Sequence, residues 1–154
     1  MTLADPYRLR VGKRSDRSAL LTLMQQAYRE LYPSAVLDHL AVTTEQLWST
    51  QTPTWFVETA ELTQLIGCLW LGHAIDQGTG DRYAHIFLLY VEPSHRRRGL
   101  GRALMQQAET WALVHGSPSI GLHVVGQSTA ARSLYGQLGY IPQATFMQKN
   151  LGMS

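Results

Sequence analysis

Tyr83–Val91 is almost continuously apolar, and it runs directly into a basic, glycine-bearing turn and then a helix-spaced stretch. An apolar run without alternation suits a central strand covered on both faces. Behind the turn, Leu100, Ala103, Leu104, Ala108, Trp111 and Ala112 share one stripe of a helix expected over Leu100–His115. A strand, a tight turn and an amphipathic helix in that order point to an α/β architecture. The turn itself, Arg96-Arg97-Arg98-Gly99-Leu100-Gly101, sets three fixed positive charges and two residues without a Cβ at the helix N-terminus. Unpaired N–H groups and the positive end of the helix dipole make such a terminus an anion site. Glycine lets a phosphate come close to the backbone. Recognition of a pyrophosphate is the chemistry predicted.

Two phosphate-binding loops do not fit. A Walker A loop requires Gly-x-x-x-x-Gly-Lys-Ser/Thr, which the chain lacks. The dinucleotide fingerprint requires a third glycine where Leu104 stands. What remains is Arg-x-x-Gly-x-Gly after an apolar strand ending in Val91-Glu92-Pro93.

The rest of the chain reads as further strands and helices without linkers or repeats. Tyr7–Gly12 alternates as a half-buried strand does. Asp16 or Ser18 is placed to cap a helix through Leu20, Leu21, Met24 and Tyr28, which breaks at Pro33. Thr43 or Thr44 is expected to cap a second short helix through Leu47 and Trp48. Trp55–Glu58 and Gln64–Ile75 read as paired strands, and the turn-rich 76–81 as a loop before Tyr83–Val91. Gly116-Ser117-Pro118 ends the long helix. Ile120–Val125 is then a strand, Thr129–Leu138 a helix closed by an αL Gly139, and Tyr140 to Leu151 a last extended segment. The order is β-α-α-β-β-β-α-β-α-β: a mixed, mostly antiparallel sheet flanked by helices, in one domain over residues 1–154.

The Arg96–Gly101 turn in this setting resembles the acyl-CoA-binding motif of the GNAT superfamily of N-acetyltransferases. A second segment, Ala130-Ala131-Arg132-Ser133-Leu134-Tyr135-Gly136-Gln137-Leu138-Gly139-Tyr140, resembles that family's Ala-Ala-x-x-Leu-Tyr-x-x-Leu-Gly-Phe/Tyr stretch. The resemblance implies acetyl-CoA as co-substrate and transfer of its acetyl group to a primary amine in a ternary complex. It implies that the backbone amides of Arg98, Gly99, Gly101 and Arg102 cradle the pyrophosphate. Among Arg96, Arg97 and Arg98 it puts Arg96, at the first motif position, foremost for a phosphate contact, a task suited to a planar guanidinium. The N–H and C=O of Leu89 and Val91 on a bulged strand would hold the pantetheine arm, with an N–H near Tyr90 or Val91 polarising the thioester carbonyl.

By the same resemblance Tyr135 is the general acid for the departing thiolate; a phenol is protonated at neutral pH. Ser128, two helical turns earlier, would cap the helix and bond pantetheine where many members carry Asn. His85, in an otherwise apolar strand, has a suitable intrinsic pKa for the base that deprotonates the amine. Glu92, Glu58 and His123 are its rivals, and a water relay is another route. Trp55, Trp70, His73, Tyr28 and Tyr32 are candidates for an acceptor pocket. An acyl-CoA-binding sensor without turnover is the alternative function.

Composition narrows the partners. Of 154 residues 45% are hydrophobic and the net charge is +2, so apart from Arg96–Arg98 there is no basic tract for nucleic acid. The scattered histidines offer no ligand spacing, and no metal is expected. A single cysteine, Cys68, in apolar surroundings reads as a buried small hydrophobe in a reducing compartment. With no signal pattern and no membrane-spanning run, a cytoplasmic protein is expected. Its acceptor would be a small-molecule or protein amine, and an exposed last strand could pair in a homodimer.

Overall fold

The structure, a computed structural model, describes residues 3–61, 63–125 and 129–152. Five strands form one sheet in the order β1-β2-β3-β4-β5: β1 Tyr7–Val11, β2 Thr54–Thr59, β3 Leu65–Ile75, β4 Arg82–Val91 and β5 Ile120–Leu122. The first four pair antiparallel with their neighbours and β5 pairs parallel to β4. Helices α1 Arg17–Leu31 and α2 His39–Leu47 precede β2, α3 Leu100–Val114 joins β4 to β5, and α4 Thr129–Gln137 follows. The sheet is thus mixed and flanked by helices.

Each face carries its own apolar cluster. Helix α1 buries Leu20, Leu23, Met24 and Ala27, an i, i+3, i+4, i+7 stripe, against Phe56, Cys68, Trp70, Leu88 and Tyr90, joined by Leu40 of α2. Helix α3 buries Leu100, Ala103, Leu104, Ala108 and Ala112 against Val57, Leu69, Leu71, Ala84, Ile86 and Val91. Each fully buried Leu or Met contributes about 1.5–3 kcal/mol relative to exposure. Cys68 lies wholly inside, and burial pushes its thiol pKa well up, as a structural cysteine requires.

The helix starts differ from the sequence expectation. Asp16 occupies the cap position of α1, but its carboxylate accepts the Lys13 N–H (2.6 Å) and pairs with Arg10 (2.9 and 3.0 Å) instead of capping the helix. The guanidinium holds Asp16 below the usual carboxylate range. Helix α2 begins after Asp38, so neither Thr43 nor Thr44 caps it; Thr44 lies inside, buried, its hydroxyl donating to the Leu40 carbonyl (2.7 Å). That bond satisfies the hydroxyl within the helix itself. At the other end, β5 stops at Leu122 instead of Val125. The segment from Tyr140 to Leu151, expected as a strand, joins no ladder among the described residues. Gly139 does take the left-handed conformation that ends α4 (φ 93°).

Candidate active site

The site begins where β4 changes phase. Trp70 pairs with Leu88 but Leu71 pairs with Ile86, so Phe87 is an extra residue, a β-bulge. Ala84 and Ile86 before it face the α3 side, whereas Leu88 and Tyr90 after it face α1. Phe87 lies edge-on to Trp70 (5.1 Å between ring centroids) and across Gly72, where a Cβ would come within 2.1 Å of the ring. Only a residue without a side chain leaves that berth open.

The ladder dictates which backbone groups are free. The Glu92 N–H donates to the Ile66 carbonyl (2.8 Å), which in an antiparallel pair makes Tyr90–Cys68 a hydrogen-bonded pair and Leu89–Leu69 and Val91–Gly67 non-bonded ones. The N–H and C=O of Leu89 and Val91 therefore turn away from β3, while Tyr90 turns its backbone towards it. On the outer side β5 matches β4 only from Ala84 to Ile86, so beyond Ile86 the two strands part. A cleft of about 960 Å³ opens there, its walls including Tyr28, His85, Phe87, Leu89, Arg97 and Tyr135. Its volume suits a large ligand.

At the cleft's lower end stands the turn before α3. Gly99 precedes the helix with φ 78°, and the first helical bond runs from the Ala103 N–H to the Gly99 carbonyl (3.0 Å). The N–H groups of Leu100, Gly101 and Arg102 come before that bond and have no backbone partner among the described residues, which suits an anion. A Cβ at Gly99 would meet nothing within 4 Å, and one at Gly101 only Leu134 at 3.5 Å. The space over the turn is thus open, and it fits a diphosphate.

The three arginines have different positions. Arg96 donates through Nε to the Val91 carbonyl (2.7 Å) and through Nη2 to both oxygens of Glu30 (2.9 and 3.0 Å). The Tyr90 hydroxyl donates to the same carboxylate (3.2 Å), and burial together with Glu30 pushes its pKa up to about 12. Arg98 donates to the Tyr7 hydroxyl (3.0 Å), which also bonds His95 Nδ1 (2.8 Å), so it braces β1 and does not line the cleft. Arg97 lines the cleft in a left-handed conformation (φ 63°), and no partner for its guanidinium is found among the described residues. Arg102 lines it too, bonded to Gln137 of α4.

His85 is 8% exposed, with ring neighbours Tyr83, Phe87 and His123 at 5.9, 5.7 and 5.1 Å. Burial first, then His123, lowers its pKa from the ordinary 6.5. Its Nδ1 has no hydrogen-bond partner among the described residues. His123 is exposed and lines the same cleft. Tyr135, half-buried against Tyr140 (6.0 Å), also lines it, and burial raises its pKa. Other candidates lie elsewhere: Glu58 is paired with Arg8 and Arg10, Glu92 is outside the cleft wall, and Trp55 and Trp70 are core. Tyr28 lines the cleft, Tyr32 packs edge-on to it (6.0 Å), and His73 sits by Trp111. Ser128 lies outside the described residues. Glu30 and Phe87 had no signal in the sequence: one meets Arg96 from 66 residues away, the other is one apolar residue in an apolar run.

Comparison with known proteins supplies the wider setting. Residues 18–140 match the family model described as the acetyltransferase (GNAT) family. A mycothiol acetyltransferase of Beutenbergia cavernae is 31% identical over 140 residues, 89% of this chain and 45% of that protein. The chain spans less than half the length of the curated relatives it matches. A putative acetyl transferase from Pyrococcus furiosus superposes with a TM-score of 0.79 at 22% identity, over 94% of this chain and 99% of that one. A predicted acetyltransferase from Clostridium acetobutylicum, solved with acetyl-CoA, has a TM-score of 0.79 at 17% identity, over 94% and 96%.

Proposed function

The chain belongs to the acetyltransferase (GNAT) family, and we propose that it transfers an acetyl group from acetyl-CoA directly to a primary amine in a ternary complex. The observation that carries this reading is the free outer edge of Leu89 and Val91 beside the open helix N-terminus at Gly99–Arg102. An arm with two amides can bond such an edge as another strand would, while its diphosphate meets the first-turn amides of α3. The Val91 carbonyl is held by Arg96, which leaves the Leu89 and Val91 N–H groups to polarise a thioester oxygen. Residues 1–154 would act as one domain in a reducing cytoplasm, without a metal. No helix among the described residues is long and apolar enough to cross a membrane.

The proton inventory suits direct attack. Only a neutral amine is nucleophilic, and His85, kept neutral by burial, can take its proton directly or through water and pass it towards exposed His123. Tyr135 stays protonated through the neutral range and donates to the departing thiolate. Glu30 is the one carboxylate among the cleft-lining residues, and Arg96 occupies both its oxygens. That speaks against polycationic acceptors. Titration calorimetry with acetyl-CoA, followed by a free-thiol assay over a panel of small-molecule and peptide amines, tests the reading. Buried Cys68 adds little background. Absence of acetyl-CoA binding would overturn it, and binding without any acetylated amine would favour a sensor.

Two further outcomes are expected. Arg97→Ala should weaken acetyl-CoA binding about tenfold at low salt, with a smaller effect at high salt, as loss of an exposed charge-assisted phosphate contact requires. Equal binding of both proteins in calorimetry would remove Arg97 from the phosphate site. The acid limb of kcat/KM should lie below pH 6.5, because the lowered His85 pKa keeps the neutral base populated further into acid. The rate falls as pH drops through that pKa, and His85→Gln should lower the rate and abolish that limb. A limb that survives the substitution would assign the base elsewhere.

A further inference from the structure

The backbone of Arg97 is in an uncommon state. Its φ of 63° lies in the left-handed region, which a residue with a side chain occupies at a conformational cost and keeps only where its surroundings hold it. The Arg97 guanidinium supplies no such hold, since it has no partner among the described residues. The hold comes from its two neighbours in the turn.

Both neighbours are tied, and to opposite faces of the sheet. Arg96 donates to both oxygens of Glu30, near the end of α1, and lies over the Tyr90 ring (5.6 Å) in the α1-side cluster. Arg98 donates to the Tyr7 hydroxyl (3.0 Å) and lies over the Tyr7 ring (5.9 Å) in the α3-side cluster. Tyr7 is a firm anchor. It is 6% exposed, its backbone pairs with Thr59 of β2, and its hydroxyl also bonds His95 Nδ1 (2.8 Å), just ahead of the turn. With Arg96 drawn to one face and Arg98 to the other, the residue between them is left to the cleft, which Arg97 lines.

We propose that Tyr7 and Glu30 are positioning residues for diphosphate recognition. Through Arg98 and Arg96 they hold the turn so that Arg97 keeps its left-handed backbone and presents its guanidinium to a diphosphate at the α3 N-terminus. Tyr7 lies outside the cleft wall and acts only through the turn. Such an arrangement raises affinity, because the loop and its charged side chain are ordered before the ligand arrives. The inference rests on acetyl-CoA as the ligand of the cleft. It also reverses the weight that the motif gives its first arginine: Arg96 holds the turn and Arg97 meets the phosphate.

A double-mutant cycle read by titration calorimetry at low salt on the full chain tests it. Tyr7→Phe keeps the buried ring and removes only the hydroxyl. It should weaken acetyl-CoA binding by about five- to tenfold, while kcat at saturating acetyl-CoA stays within about twofold of the parent. Made in an Arg97→Ala background, the same substitution should weaken binding by less than about twofold, because the group it positions is already gone. Glu30→Ala, which releases the other tie, should show the same dependence on Arg97. Unchanged acetyl-CoA binding by Tyr7→Phe overturns the proposal and leaves the acetyl-CoA reading standing. So do losses that add in full to that of Arg97→Ala, because a general loosening of the fold would act whether or not Arg97 is present. A parent protein that binds no acetyl-CoA overturns both.

Discussion

Tyr135→Phe lowers kcat by about 100-fold or more, the range expected when a positioned general acid is removed, while acetyl-CoA binding changes by less than threefold. The split follows from the position of the ring. Tyr135 packs against the α3-side core and Tyr140 and lines the cleft, and phenylalanine keeps that packing and loses only the hydroxyl. Burial raises the phenol's pKa, so it remains a donor across the neutral range and the loss should not vary with pH there. That separates it from the His85→Gln loss, which shrinks towards acid as the parent's own base becomes protonated. Stopped-flow release of free thiol with an accepted amine, beside calorimetry for acetyl-CoA, makes the measurement. A kcat within twofold of the parent would remove Tyr135 from the chemistry and leave it as a packing residue.

The second large effect is on stability. Trp70→Ala should destabilise the fold by about 3–5 kcal/mol, the usual range for a large aromatic lost from a close-packed core. Trp70 is 1% exposed, packs among the α1-side cluster, and meets Phe87 edge-on. Against a total stability of about 5–15 kcal/mol for an ordinary domain, that is a substantial fraction. Removing the indole also removes the surface against which the bulge rests, so activity should fall at temperatures where the variant is still folded. Urea denaturation followed by circular dichroism gives the first quantity, and acetyl transfer at low temperature the second. A loss below about 1 kcal/mol would mean that the cavity collapses freely and that the bulge is held from elsewhere.

The second half of the chain was legible because its signals are local. Gly99 and Gly101 at the strand-to-helix corner, the α3 stripe, and Gly139 after α4 each act within a few residues. The resemblance points to the backbone of Leu89 and Val91, and the ladder register turns that backbone away from β3. Tyr90 was less accessible, because which way an amide points depends on the partner strand and not on the residue. Among the turn's arginines the resemblance puts Arg96 foremost for a phosphate contact, yet its guanidinium is bound to Glu30 and the Val91 carbonyl. Their division of labour, Arg96 on Glu30, Arg98 on Tyr7 and Arg97 towards the cleft, arises from contacts with α1 and β1 that only folding brings near. The start of α2 was misread because Thr44 satisfies its hydroxyl on a preceding carbonyl, a mode that leaves no distinctive pattern. The segment after Tyr140 has the composition of a strand but joins no ladder among the described residues.

The bulge at Phe87 makes β4 one residue longer than the stretch of β3 that it faces. Its core-facing residues are even-numbered up to Ile86 on the α3 side and odd-numbered from Leu89 onward. A substitution at Phe87 alters its contacts with Trp70, Gly72 and His85. Deleting Phe87 would restore regular alternation and leave Leu88 and Tyr90 opposite Trp70 and Cys68 on the α1 face, at the cost of the local bend and twist that a bulge gives the strand. β4 can therefore lose its extra residue and keep both faces; what it would give up is the irregularity beside the cleft.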